Sequence, residues 1–342
     1  MDSQAKYAIV LANAGTPESL STKNVRSFIR RYLSDKRIRP INPILWFFIL
    51  NICILPKRVA VSAGKYEKIW TDMGSPLAVA TEKLQQALQE SFSEDGFSCD
   101  VHIGYSYSFP YLHKILKRIK KDGSEKVVVL PMYPQTAHCT TYSIIDAVHK
   151  IFKSSSDRKK IKFINNYYKN EVYAKAVAAS IINAGFKLDS NDKLLFSFHS
   201  IPIKDIEAGD KYELQASSSC LLIADELGLE KRRWKLSFHS RFDKEREWLS
   251  PFTKDTLLTW AATGEGRTFV ACPGFAVDNL ETLYDVGIDY RSAFENECAK
   301  NKRDSKDSEF IYVPCLGSSK AHLKVLKSVL ASAIKDVESN GR

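Results

Sequence analysis

The sequence has no C-x-x-C pair. Its seven cysteines, Cys53, Cys99, Cys139, Cys220, Cys272, Cys298 and Cys315, stand singly. An odd, dispersed set argues against a disulfide framework and against a cysteine-built zinc or iron–sulfur site. There is no G-x-x-x-x-G-K-[ST] string: GEGR (264–267) and LGSSK (316–320) have glycines but not that spacing. There is no G-x-S-x-G elbow, so His199 and Ser200 gain no support as a hydrolase pair. The opening MDSQAKYAIVLANAG lacks a basic stretch, apolar stretch and cleavage site in that order, and reads as an unprocessed cytosolic start. The most apolar stretch, PILWFFILNICILPKR (43–58), reads as too short, and too interrupted by Asn51, to span a bilayer.

What is present is the composition of a soluble globular protein, 44% hydrophobic and 26% charged, on 342 residues, enough for two domains with a core each. The net charge of +10 is spread over RSFIRRYLSDKRIRP (26–40), KRIKK (117–121), DRKKIK (157–162) and KRRWK (231–235). Each cluster suits a solvated helix end, while their sum favours anionic partners such as nucleic acid, acidic lipid or a polycarboxylate ligand.

Apolar runs of strand type recur at 7–14, 99–105, 125–133, 159–167, 192–200, 233–240, 267–275 and 309–316, with helical patterns between most of them. Strand, helix, strand, repeated, predicts an α/β chain with parallel sheets and right-handed crossovers. The eight strands divide as four plus four, with a seam in the polar KSSSDRKK (153–160). The expected division is a first lobe over 1–157, a second over 158–318, and a final helix within 319–342 that packs back on the first. In open parallel sheets ligands bind beyond the carboxyl ends of strands, which selects AGTP (14–17), YPQ (133–135), HSIP (199–202), HSR (239–241) and PGFAVDNLE (273–281). The segment 43–58 fits either a buried core helix or an exposed apolar lip. The basic flanks RIRP and KR favour a lip that dips into a membrane surface.

KLLFSFHSIP (193–202) reads as a buried strand that ends on His199, although His is a poor strand former and a poor turn residue. It is either a core histidine with backbone partners or a functional group at a strand end. His138 with Cys139, and His239 with Ser240, lie near other strand ends and read as structural. In CPGFAVDNLETLYDV (272–286), Asp278 and Glu281 have the D-x-x-E spacing of a capping box, with Asp278 as cap and Glu281 three positions on.

FSFHSIP, PMYPQTA with TTYS (140–143), SRF…EWLSPFT (240–253), CPGFAVDNLETLYDV, NAGTP (13–17), KYEKIW…GSPL (65–77) and YVPCL (312–316), in this set, resemble the ferrochelatase family over almost the full length. The resemblance implies two Rossmann-like lobes, each a four-stranded parallel sheet flanked by helices, with the active site in a cleft between them. It implies insertion of ferrous iron into a porphyrin. His199 and Glu281 match the family's active-site histidine and glutamate, and Asp278, on the same face one helical turn before Glu281, is expected to be catalytic with them; His199 and Glu281 would also be the metal-handling pair. Lys57 and Arg58 match basic residues facing porphyrin propionates, and Tyr66 and Ser75 match polar groups near that edge. The segment 43–58 matches the apolar lip of membrane-associated members. Ser106 stands where many relatives have Arg, Ala14 replaces a larger residue, and Tyr142 replaces a common Gly.

The partners so implied are porphyrin and ferrous iron, with peripheral membrane contact and no nucleic acid, in a cytoplasmic monomer or homodimer. No tightly bound cofactor and no iron–sulfur cluster are expected, because the cysteine-rich tail of cluster-bearing relatives is missing. Protoporphyrin IX is the expected substrate. The alternatives are a coproporphyrin chelatase, a chelatase loading cobalt or another metal into a different tetrapyrrole, and, outside enzymes, a basic anion- or nucleic-acid-binding module.

Overall fold

In a computed structural model the described residues are 7–241, 243, 245–263, 266–301 and 308–339, with the backbone alone for 336–339. All eight predicted strands are present: β1 (Tyr7–Asn13), β2 (Cys99–Tyr105), β3 (Lys126–Pro131), β4 (Ile161–Phe163), β5 (Lys193–His199), β6 (Trp234–His239), β7 (Thr268–Ala271) and β8 (Phe310–Val313). They form two four-stranded sheets, ordered β2-β1-β3-β4 and β6-β5-β7-β8. Every ladder is parallel. Parallel strands need helical crossovers that cover both faces of a sheet, which is why β1 and β3 read as continuous apolar runs.

The chain divides into two compact units, Met1–Asn166 with Ser318–Arg342, and Tyr167–Gly317. The predicted seam at 153–160 is therefore displaced. Ile161 and Phe163 of β4 pack with Val127, Val129 and Phe152, and β4 pairs with β3, so burial of these side chains keeps the strand in the first unit. The helix Lys320–Ser339 belongs to the same unit. In the second unit Leu195, Val270, Val286, Phe294 and Phe310 share one core.

A buried ion pair fastens the amino ends of β5 and β7. Asp192, 3% exposed, accepts from Arg267 Nε at 3.0 Å and Nη2 at 2.7 Å. Its Oδ2 also accepts from the Lys187 amide at 2.8 Å.

The segment after Asn42 is longer than its sequence suggests. Asn42 caps it by accepting from the Ile44 amide at 2.9 Å, and Pro43 occupies the first turn, where its missing N–H costs nothing. The helix Pro43–Phe48 passes through a wide turn at Ile49–Ile54 into Leu55–Glu67. The run Pro43–Glu67 has 25 residues and is long and apolar enough to cross a membrane by length and composition, contrary to the expectation that the stretch is too short. Asn51 does not interrupt it, because its side-chain amide donates to the Phe47 carbonyl one turn back, at 2.7 Å. Two faces separate clearly. Trp46, Leu50, Leu55 and Val59 are buried, whereas Ile44 is 71% and Ile52 68% exposed, with Leu45, Phe47, Phe48 and Val61 also at the surface. Trp46 turns inward because its indole N–H donates to the Leu33 carbonyl at 2.6 Å.

Candidate active site

Each sheet has a switch of strand direction, and the histidine and acidic residues singled out in the sequence lie at that of the second. Its order places the switch of direction between β5 and β7, beyond whose carboxyl ends ligands bind in doubly wound sheets. His199 is the last residue of β5, and CPGFAVDNLE begins where β7 ends.

The loop after β7 lies close on the neighbouring strands. Phe275 stacks on the His239 ring with centroids 5.6 Å apart and 24° between planes. A Cβ on Gly274 would stand 3.0 Å from the Phe198 ring, so the close approach of loop to strand asks for glycine. The Tyr173 hydroxyl donates to the Pro273 carbonyl.

His199 is half-buried, and its Nδ1 lies 2.6 Å from the Ser200 carbonyl oxygen. A carbonyl only accepts, so Nδ1 carries hydrogen, and Nε2 is the basic nitrogen of the neutral ring. Its partner in the ladder is His239, the last residue of β6, with ring centroids 6.0 Å apart. His239 is 1% exposed. Burial, and secondarily the neighbouring His199, holds its pKa well below the usual 6.5, so the ring is neutral.

The helix that follows the loop is not capped as its sequence suggests. Asn279, not Asp278, is the cap: its Oδ1 accepts from the Glu281 amide at 3.0 Å and the Thr282 amide at 3.1 Å. Thr282 completes the box by accepting from the Asn279 amide at 3.0 Å. The frame is thus one residue later than D-x-x-E, and capping does not account for the Glu281 carboxylate. Asp278 precedes the helix instead of lying on it. Its Oδ1 accepts from Tyr312 Oη at 2.5 Å, Thr282 Oγ1 at 3.1 Å and the Cys315 amide at 3.3 Å, which ties the loop to the end of β8. Burial raises the Tyr312 phenol well above 10, so it remains a donor.

Glu281–Tyr290 is a π-helix. Runs of this kind are rare and concentrate at functional sites. Within it Asp285 accepts from Ser240 Oγ at 2.7 Å. Ser240 follows His239 and has φ of 58°, a left-handed conformation that is uncommon for serine. The sequence reading missed Asp285, four residues after Glu281; the spacing was legible, but its anchoring to Ser240 depends on tertiary structure. Phe242 of the SRF string and Gly264 and Glu265 of GEGR lie outside the described residues.

The other expected site residues are in the first unit. Lys57 is exposed and Arg58 half-buried. Tyr66 and Ser75 are buried; Ser75 Oγ accepts from Thr16 Oγ1 at 2.8 Å, and the Tyr66 ring meets Trp70 edge-on. Both side chains are buried in the first unit.

Two parallel sheets of this order define a chelatase-type fold. Over 98% of each chain the structure is similar to SirB from Bacillus subtilis with Fe3+, at a TM-score of 0.58 and 11% identity, a likeness of fold alone. It is also similar to DR2241 from Deinococcus radiodurans, with a TM-score of 0.54 at 12% identity over 96% of this chain and 55% of that one. A family model described as ferrochelatase matches residues 6–334. The chain belongs to the ferrochelatase family, lyases that insert iron into porphyrin in heme biosynthesis. It is 36% identical to a ferrochelatase of Herminiimonas arsenicoxydans over 95% of this chain and 86% of the relative. It is 35% identical to one of Actinobacillus pleuropneumoniae serotype 7 over 96% and 99%.

Proposed function

We propose that this protein inserts ferrous iron into protoporphyrin IX, releasing two protons and protoheme, with His199 and Glu281 as the groups that handle metal and proton. The observation that carries the assignment is the pair of side chains at the switch of the second sheet: an imidazole with Nδ1–H tied to a backbone carbonyl, and a carboxylate whose helix is already capped by Asn279.

Metallation removes two pyrrole protons and strips water from the metal. A flat macrocycle presents its nitrogen lone pairs poorly, so binding energy from the rest of the ring is used to bend it. His199 Nε2 takes a pyrrole proton near neutral pH. Glu281 supplies hard oxygen suited to ferrous iron as it arrives, and Asp285 follows one turn on. Asp278 positions the loop that presents Glu281. Ferrous iron is here a substrate, and no resident cofactor or iron–sulfur cluster is needed for these steps.

Protoporphyrin is favoured over coproporphyrin because Ile44, Phe47, Phe48 and Ile52 form an exposed apolar surface. Two further carboxylates facing such a surface would be buried without partners, which is costly. Lys57 and Arg58 are the cations beside it that propionates, or acidic lipid head groups, would meet. The same surface suits a cytoplasmic enzyme seated peripherally on a membrane.

The test is a spectral titration with each porphyrin, then ferrous iron, in one detergent. A higher kcat/KM for coproporphyrin III would reverse the substrate assignment. Sedimentation with anionic vesicles checks the surface: Phe47→Ser with Phe48→Ser should abolish binding that weakens with salt. Trp46 is left in place because it is a core residue.

A further inference from the structure

A chain of hydroxyl groups runs between the ends of β5 and β6, and its direction is fixed at one end. The Phe196 carbonyl can only accept, so Ser237 Oγ donates to it, at 3.1 Å. A hydroxyl has one proton. Thr253 Oγ1 must therefore donate to Ser237 Oγ at 2.9 Å, and Ser197 Oγ to Thr253 Oγ1 at 2.7 Å. That leaves Ser197 Oγ as the acceptor for His239 Nδ1, at 2.6 Å. His239 is thus the Nδ1–H tautomer. Its Nε2, buried, has no partner among the described residues.

Packing does not ask for an imidazole here. A phenyl ring would fill the same space and stack on Phe275 without burying an unsatisfied nitrogen. What phenyl lacks is the Nδ1–H that ends the chain on Ser197. Ser197 lies two residues before His199, on the same face of β5, and the His239 ring meets the His199 ring directly.

We propose that His239 is a positioning residue for His199, holding the end of β5 through Ser197 and the His199 ring through edge contact. The role rests on the reading of His199 as the group that handles the pyrrole proton. Steady-state iron insertion at 25 °C is to be compared for the parent, His239→Phe, His239→Gln, Ser197→Ala, the double variant His239→Phe/Ser197→Ala, and His199→Ala. His239→Phe should lower kcat about tenfold, as small misplacements of a reacting group do, with KM for porphyrin and iron unchanged. His239→Gln, whose amide N–H can donate to Ser197, should recover most of the loss. The double variant should be no slower than the worse single one, because both break the same link.

Parent kcat in His239→Phe with a lowered Tm alone, equal impairment of the Phe and Gln variants, or additive losses would each overturn the role. Should His239→Phe fail to fold, Ser197→Ala carries the test, and parent kcat there overturns it. An inactive His199→Ala beside an unimpaired His239→Phe removes only the positioning role. Parent-rate turnover by His199→Ala removes the underlying reading as well.

Discussion

The two sheets repeat one strand order, and in each the ladder between the first two strands closes on a single residue pair. In the first unit the pair is Asn13 with Tyr105; in the second it is His199 with His239. Asn13 is tied to its surroundings by neutral groups, while the Tyr105 hydroxyl is buried without a hydrogen-bond partner among the described residues. The Asn13 Oδ1 accepts from the Ala14 amide at 2.6 Å and from Tyr133 Oη at 3.0 Å, and Tyr133 Oη in turn accepts from the Ala14 amide at 2.8 Å. These groups are neutral donors and acceptors. The second edge instead carries two imidazoles, with Glu281 and Asp285 on the helix that follows β7. The backbone frame supplies a switch of strand direction in both units, and the side chains at the strand ends differ: the second carries the groups proposed to handle proton and metal.

The sharpest way to break this comparison is His199→Ala. Iron insertion should fall by roughly 10³, within the span of general acid–base contributions, while circular dichroism and porphyrin binding remain those of the parent. Retained turnover would mean that the two edges are chemically alike.

The amino ends of β5 and β7 give the next largest effect. Arg267→Ala leaves the Asp192 carboxylate, with a side chain only 4% exposed, without its guanidinium. Stability measured by urea unfolding should drop by about 3 kcal/mol.

Glu281→Gln distinguishes chemistry from capping. Turnover should fall by roughly 10², with Tm close to that of the parent, because Asn279 and Thr282 make the cap.

The pH dependence of stability tests the buried imidazole. The folded pKa of His239 is well below 6.5, so below pH 6.5 the unfolded chain binds a proton that the folded state excludes. Stability present above that pH is lost as pH falls, by up to about 1.4 kcal/mol per unit from this residue. His239→Phe should flatten the slope of unfolding free energy against pH by that amount.

The smallest change expected is for Asn279→Ala. Loss of the cap should cost about 1 kcal/mol, whereas Asp278→Asn should leave the helix start capped.

Much of the fold was legible because buried parallel strands are written as apolar runs, and YAIVLAN and KLLFSFH need no tertiary context to be read. The seam expected at 153–160 precedes β4, whereas the units divide after it, because a polar stretch such as KSSSDRKK marks an exposed turn within a unit as readily as a boundary between units. The cap was misread by one residue: Asp278 and Asn279 are both good caps, and only the donors from Tyr312 and Cys315 decide that Asp278 is used elsewhere. Trp46 was read as part of an exposed apolar lip, but its burial follows from which helix face meets a neighbour.

By itself the sequence determined the eight strands, the helices between them, and the presence of a histidine at a strand end ahead of an acidic helix start. These follow from local periodicity and from residue types that have few other uses in such places. Only the tertiary structure decided which nitrogen of each imidazole bears hydrogen, which residue caps the helix after β7, and which face of the run from Pro43 is buried. Each of these depends on a partner supplied by another part of the chain, at a distance that sequence spacing does not encode.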